Sequence, residues 1–197
     1  MRFRGLLISS TFVLALIALA LGGTRASAQT VFTCDGKVPT IVGAGNGAVI
    51  NGTSGDDVII GTAGNDVING GSGNDTICGE GGNDTINAGS GNDRMWGEVR
   101  GGGFDTLIGT PGNDVIDGGS GGDLLVDPQG VGQTLTAGSG NDTVLGNGVL
   151  LGGSGNDAIT VLIAGGADAN LSINAGSGTD TCNLGGNVVP TASCELP

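Results

Sequence analysis

The sequence has no histidine and no tyrosine, and aromatic side chains make up only 3% of its 197 residues. Without histidine, a Ser-His-Asp catalytic constellation cannot form, and no zinc site of the usual His/Cys type presents itself. Basic residues are also scarce, with six Lys and Arg in all. Such a chain is poorly suited to neutralising nucleic-acid phosphates. We therefore expect neither an enzyme nor a nucleic-acid partner.

Long apolar runs are limited to one, at residues 6–21, preceded by Arg2 and Arg4 and followed by Ala26-Ser27-Ala28. This order of charge, apolar run and small residues is that of a secretory signal peptide. The run is shorter than the roughly 20 residues that a spanning helix needs. We expect residues 1–28 to be removed and the mature protein to be secreted and extracellular, without membrane insertion. Removal leaves three basic against 19 acidic residues, a net charge of −16.

Glycine is abundant, at 44 residues, and composition alone would suggest a disordered linker. The order of the residues argues otherwise. From Gly52 the chain divides into nines that read GTSGDDVII, GTAGNDVIN, GGSGNDTIC, GEGGNDTIN and AGSGNDRMW. In each, a glycine stands two residues before an aspartate and an apolar residue two after it. A linker does not place an apolar residue at a fixed phase, so we interpret the stretch as an ordered repeat.

A period of nine fits neither an α-helix nor a coiled coil. It does fit a turn of about six residues followed by a strand of about three, in which side chains alternate between faces. Two nonapeptides then form one coil of a flattened spiral whose parallel strands stack about 4.8 Å apart. The sequence therefore predicts an all-β fold, a parallel β-roll (β-solenoid) of about seven two-strand coils, with one inward apolar residue per strand.

The pattern G-G-x-G-x-D-x-apolar-x resembles the RTX, or haemolysin-type, calcium-binding repeat, over roughly residues 43–182. In that family the turn aspartates and glycine carbonyls hold Ca²⁺ between successive coils. Stacked carboxylates also repel unless a cation lies between them, and Ca²⁺ takes six to eight oxygen ligands. The resemblance implies several Ca²⁺ ions, held by the aspartates in phase, which are Asp57, Asp66, Asp75, Asp84, Asp93, Asp105, Asp114, Asp123, Asp142 and Asp157.

Alternation of half-coils assigns these residues to two edges of the spiral. We predict that one edge carries Ala48, Asp66, Asp84, Asp105, Asp123, Asp142, Asp157 and Asp180. The opposite edge is predicted to carry Asp57, Asp75, Asp93 and Asp114, then Gln133, a short turn at residues 146–148, and Asp168. Calcium is therefore expected at both edges of the N-terminal half and mainly at one edge of the C-terminal half.

Asparagine precedes many of these aspartates, and we interpret it as a residue that tolerates left-handed backbone at a turn. The residues are Asn65, Asn74, Asn83, Asn92, Asn113, Asn141 and Asn156. The segments that flank the repeats, residues 29–42 and 183–197, are expected to cap the ends of the roll.

The four cysteines follow a signal peptide, which favours two disulfides among three possible pairings. Cys182 and Cys194 enclose a short C-terminal segment, so a bridge there would clamp the tail onto the last coil. Cys34 would then pair with Cys78 and tie the N-terminal segment to the repeats. We expect these pairings, and hence a roll with disulfide-tied ends.

The sequence thus predicts a secreted calcium-binding protein in which Ca²⁺ drives folding. The alternative is an adhesive, surface-binding or ice-binding solenoid in which calcium is purely structural. A regular outward ladder of threonines or aromatic residues would support it. A threonine follows several of the aspartates, at Thr76, Thr85, Thr106, Thr143 and Thr181, but Val58, Val67, Arg94 and Leu124 hold the same position in other repeats and interrupt the series. The protein or cell-surface partner is not identifiable from the sequence.

Overall fold

The computed structural model describes residues 32–98, 102–130, 132–162, 171–184 and 192–193. The expected signal peptide, Asp168 and Cys194 lie outside these residues. All regular secondary structure in the described ranges is β, and no helix there is long and apolar enough to cross a membrane.

Successive strands alternate between two parallel sheets. The first sheet has nine strands, in the order β1 (Ile41–Val42), β3 (Val58–Thr62), β5 (Thr76–Glu80), β7 (Arg94–Glu98), β9 (Val115–Ser120), β11 (Thr134–Ser139), β13 (Val149–Ser154), β15 (Ser172–Asn174) and β17 (Ala192–Ser193). The second has eight, β2 (Val49–Asn51), β4 (Val67–Ser72), β6 (Thr85–Ser90), β8 (Thr106–Ile108), β10 (Leu124–Asp127), β12 (Thr143–Gly146), β14 (Ala158–Val161) and β16 (Thr181–Asn183). The predicted all-β parallel solenoid is confirmed.

Each strand pairs with the strand one coil away, at the phase of the repeat. Ile59 lies beside Ile77, and Ile68 beside Ile86. Where residues are inserted, the register adjusts in the turn, so that Ile86 lies beside Leu107. Because the inward position of the repeat stays in register from rung to rung, each change in loop length falls in the turns and not in the strands.

The core is a ladder one aliphatic side chain wide from each sheet. In β2 to β15, the inward residue of each strand follows its aspartate position by two and is at most 5% exposed. The ladder consists of Ile50, Ile59, Ile68, Ile77, Ile86, Met95, Leu107, Ile116, Leu125, Leu135, Val144, Leu150, Ile159 and Ile173. Burial of a side chain of this size contributes about 1.5–3 kcal/mol, so the narrow core depends on every rung.

A disulfide between Cys34 and Cys78 ties the N-terminal segment to β5, as predicted. Both cysteines are buried, and Trp96 packs against the small cluster that they form with Ile60. Outside it, the Arg94 guanidinium lies 3.2 Å from an Asp35 carboxylate oxygen and 5.4 Å from the Trp96 ring centre. Closing a loop with a sequence separation of 44 residues removes much of the freedom of the unfolded chain, worth about 4 kcal/mol in the chain-entropy account.

The predicted caps at the two ends of the roll can be compared with the structure to different extents. Part of the expected N-terminal cap is itself a rung, since β1 pairs with β3 through Ile41 and Ile59. At the other end Cys182 is disulfide-bonded. Its predicted partner, Cys194, lies outside the described residues, so the pairing stays a prediction.

Candidate metal centres at the two edges

The first edge carries the predicted column of aspartates, joined coil to coil by hydrogen bonds. The backbone N–H of each aspartate donates to Oδ1 of the aspartate in the next coil, over 2.7–3.0 Å. At the head of the column, the Ala48 N–H donates to Asp66 Oδ1. The column then runs through Asp66, Asp84, Asp105, Asp123, Asp142, Asp157 and Asp180.

The second edge carries a shorter column, also as predicted. Asp57, Asp75 and Asp93 each donate a backbone N–H to Oδ1 of the next aspartate, ending at Asp114. Beyond Asp114 the backbone ladder continues without an aspartate, since the Thr134 N–H donates to Asp114 O and the Val149 N–H to Gln133 O. The edge therefore loses its regular column of carboxylates halfway along the roll.

All ten predicted metal ligands are buried, none exposing more than 6% of its surface. Oδ2 is buried without a hydrogen-bond partner in seven of them, which are Asp75, Asp84, Asp93, Asp105, Asp123, Asp142 and Asp157. A buried carboxylate oxygen without a partner costs on the order of 1–3 kcal/mol or more. Seven such atoms in two columns are places where a bound cation would compensate buried charge.

In the other three predicted ligands, Oδ2 does have a hydrogen-bond partner. In each, the residue after the first glycine of the turn is a threonine whose backbone N–H donates to Oδ2. Oδ2 of Asp57 and of Asp66 accepts a hydrogen bond from the backbone N–H of Thr53 and Thr62, respectively. The Thr110 N–H reaches Asp114 Oδ2 at 3.2 Å. In the turns of the seven other predicted ligands that position holds a glycine at positive φ, except for Glu80, with φ 82°, in the turn of Asp84 and Glu98 in the turn of Asp105. Oδ2 is unpartnered in all seven.

Backbone carbonyls share the corners with these carboxylates because the first residue of most turns is glycine or alanine. A Cβ added to Gly79 would lie 2.4 Å from Asp84 Oδ2 and 2.5 Å from the Gly97 carbonyl oxygen of the next coil. One coil on, a Cβ at Gly97 would lie 2.3 Å from Asp105 Oδ2. Carboxylate and carbonyl oxygens from adjacent coils thus converge where glycine leaves room, and oxygen is the ligand type that Ca²⁺ prefers.

Burial changes the acid–base behaviour of the columns. Desolvation, reinforced by neighbouring carboxylates, raises the pKa of Asp84, Asp93 and Asp105 to about 6, against the lowering effect of the backbone N–H bond. The same causes raise the pKa of Asp123 to about 7. A bound cation would favour the ionised form of these groups.

No three acidic, histidine or cysteine side chains cluster around one point in the described ranges. Each turn contributes one carboxylate, so a site between two coils would combine stacked carboxylates with backbone carbonyls. Such a donor set fits Ca²⁺, which accepts carbonyl and carboxylate oxygens in flexible geometry. It does not fit zinc, which favours nitrogen and sulfur ligands in a tetrahedral arrangement.

The interpretation of the asparagines as left-handed turn residues is wrong. None of the seven has positive φ among the described residues. Instead their side chains build a ladder in which Asn65 Oδ1 accepts the Asn83 N–H at 2.9 Å and Asn74 Oδ1 accepts the Asn92 N–H at 2.9 Å. The short asparagine carboxamide accepts a backbone N–H from the turn of the next coil, a group that forms no hydrogen bond between strands. The Asp56 carboxylate accepts the Asn74 N–H in the same way.

Two acidic residues at the edges were missed by the sequence analysis. Glu98 Oε2 accepts hydrogen bonds from the backbone N–H and hydroxyl of Ser120, while its Oε1 is buried without a partner. Asp127 is fully buried on the inward side of β10. A signal was present, because Asp127 stands at the first position of its repeat, where all earlier repeats have glycine or alanine.

Comparison with known families agrees with this geometry. The family model of the RTX calcium-binding nonapeptide repeat matches four times, at residues 43–77, 51–86, 79–99 and 100–126. Searches of curated proteins and of solved structures gave no match. The matched residues carry the column of the second edge and the N-terminal part of the column of the first edge, and residues 43–126 are thus RTX-type nonapeptide repeats.

Proposed function

We propose that this protein is a secreted calcium-binding β-roll in which Ca²⁺ between successive coils drives folding. The observation that carries the proposal is the pair of aspartate columns, buried and with unpartnered Oδ2 atoms in seven turns. The ligands are the ten aspartates from Asp57 to Asp157 named above. Ca²⁺, when bound, supplies the positive charge that the chain lacks at these corners.

The chain itself has little basic charge to offer the columns. Among the described residues the side-chain cations are Lys37 and Arg94, which contact the Thr76 hydroxyl and Asp35. Both lie at the N-terminal end, away from most of the columns. Uncompensated buried carboxylates oppose folding, so the binding energy of the metal is in effect folding energy.

Several features support an extracellular setting. The N-terminal residues have the order of a signal peptide, and Cys34, Cys78 and Cys182 are disulfide-bonded, as is common in oxidising compartments. Extracellular calcium modules bind in the range of about 10⁻⁴–10⁻³ M, which would leave the protein unloaded in the cytosol. We assign no catalytic role to the carboxylates, because the repeat accounts for their spacing.

The alternative of an adhesive or ice-binding face has weaker support. Along the second sheet, the first strand residue is in register from coil to coil and faces outward. These residues are Val49, Val67, Thr85, Thr106, Leu124, Thr143, Ala158 and Thr181. The row mixes threonine with aliphatic residues and lacks the regular repeat that a flat recognition surface would need.

The proposal is tested by circular dichroism and by counting bound ions with and without calcium. We expect the mature chain to lose most of its β signal in chelator and to regain it at millimolar calcium. Asp84→Asn, which neutralises one buried column residue, should lower the number of bound ions and weaken the folding response. Asp56→Asn, at an exposed residue outside the columns, is the matched control and should bind like the wild type. An unchanged β spectrum in chelator, or equal ion counts in both variants, would contradict the proposal.

A further inference from the structure

The second edge contains an acidic residue that does not belong to the nonapeptide pattern. The regular column on this edge ends at Asp114, and Gln133 stands where the next aspartate would be. Asp127 is the last residue of β10, and the burial pattern of that strand turns it inward with Leu125. It is 0% exposed. In the next coil it lies beside Gly146.

The Asp127 side chain occupies space that Gly109 leaves open in the coil before. A Cβ at Gly109 would lie 2.6 Å from Asp114 Oδ2, 2.9 Å from Asp127 Cγ and 3.0 Å from Asp127 Oδ2. Two carboxylate oxygens from adjacent coils therefore face one small space. In the comparable turn at Gly70, the oxygens near that position are Asp75 Oδ2 and a backbone carbonyl, that of Ala88.

The polar atoms around this space are incompletely satisfied. Asp127 Oδ1 accepts a hydrogen bond from the Gln129 N–H at 3.2 Å, whereas its buried Oδ2 makes no hydrogen bond of regular geometry. Gln133 is also 0% exposed; its Oε1 accepts the Gly132 N–H, and its Nε2 makes no hydrogen bond of regular geometry. The side chains of Asp114 and Gln133 nevertheless lie close enough to Asp127 to act on its pKa. Of the basic side chains that the structure describes, neither reaches these two buried acids, because Lys37 and Arg94 contact the Thr76 hydroxyl and Asp35 in the N-terminal half.

We propose that Asp114 and Asp127 form a Ca²⁺ site of a composition different from the repeat, in which an inward strand residue replaces the turn carboxylate lost at Gln133. Gln133 leaves the corner one negative charge short, and Asp127 restores that charge from the strand side. The second edge then extends its run of cation sites by one coil beyond the regular column. The inference rests on the proposed calcium function and adds one site to it.

The test counts Ca²⁺ ions on the folded, disulfide-intact mature chain by native mass spectrometry, which resolves single bound ions. We expect Asp127→Asn to bind one ion fewer than the wild type at saturating calcium. Asp127→Gly, which installs the residue found at Gly109 and Gly146, is a second variant that should lose the same ion. Asp117→Asn, a neighbouring residue on β9 outside the columns, removes one charge as a matched control and should keep the full count.

A rescue variant separates a ligand from a merely structural residue. Asp127→Gly combined with Gln133→Asp moves the carboxylate back to the regular turn position and should restore the lost ion. If Asp127→Asn and Asp127→Gly both bind as many ions as the wild type, the proposed site is overturned while the calcium function stands. If the wild type itself binds none, the calcium function is overturned, and this site with it.

Discussion

At the corners of the roll, the backbone of one coil lies directly against the backbone of the next, and single residues decide whether this contact is possible. Gly91 has φ 141°, and a Cβ there would come within 1.8 Å of the Gly73 carbonyl oxygen. Gly55 holds the same position of its repeat at the start of that edge, where a Cβ would meet only the Thr53 hydroxyl at 4.0 Å. The same position of the repeat therefore requires glycine at residue 91 but has room for a larger residue at residue 55.

We expect Gly91→Ala to lower the free energy of unfolding by about 3 kcal/mol, from left-handed strain and from displacement of a backbone that cannot yield. Gly55→Ala should change it by no more than about 0.5 kcal/mol. Denaturant unfolding in saturating calcium measures both values. Equal effects of the two substitutions would show that contact between coils does not limit this turn position.

Most column aspartates perform two tasks with their two oxygens. Oδ1 accepts a backbone N–H of the preceding coil, as Asp84 does for Asp66, and so sets the spacing of the turns. Oδ2 of Asp84 remains available in the corner. Replacement by asparagine preserves the first contact and removes the charge that the second needs, which is why Asp84→Asn separates coil spacing from metal binding.

At the scale of the strand, stability depends on one inward side chain per rung. Ile68 is 0% exposed and stacks on Ile50 and Ile86 in the neighbouring coils. Val67 precedes it on β4, faces outward and is 43% exposed. Substitutions at these two adjacent residues therefore compare a buried inward position with an exposed outward position of the same strand.

We expect Ile68→Ala to destabilise the calcium-loaded protein by about 2–5 kcal/mol, because the ladder has no second layer to fill the cavity. Val67→Ala should cost no more than about 0.5 kcal/mol. Thermal unfolding followed by circular dichroism distinguishes them. A loss at Val67 as large as at Ile68 would mean that the outward face also packs against something, contrary to its exposure.

The strands and edges could be predicted because the phase of the repeat survives every insertion. Asp84 and Asp105 are 21 residues apart and Asp142 and Asp157 only 15, yet both pairs stack. The asparagine ladder could not be predicted, because a preference for turns does not distinguish left-handed backbone from a side chain that bonds to the next coil. The inward direction of Asp127 was not predicted for another reason. The metal ligands were predicted from the aspartate at the sixth position of the repeat, whereas Asp127 stands at the first position.

At the scale of the whole molecule, the fold concentrates negative charge in two buried lines within a chain whose expected mature net charge is −16. The calcium-free roll must keep these carboxylates either ionised without counter-charge or protonated. The raised pKa values of Asp84, Asp93, Asp105 and Asp123 show that burial favours the protonated form. If calcium binds as proposed, protons and calcium therefore compete for the same oxygens.

This competition predicts opposite pH dependences with and without metal. Between the unfolded pKa of 3.8 and folded values of about 6 to 7, the folded chain binds more protons than the unfolded chain. In chelator its stability should therefore fall as the pH rises from 4 to 7.5, roughly through the range bounded by these pKa values. In saturating calcium the stability should rise over the same range, because ionised carboxylates bind the metal more tightly and release protons as they do so. Thermal melts at several pH values measure the slope in calcium, and the amount of β signal at fixed temperature over the same pH values measures the slope in chelator. Slopes of the same sign would mean that the column carboxylates do not hold the metal.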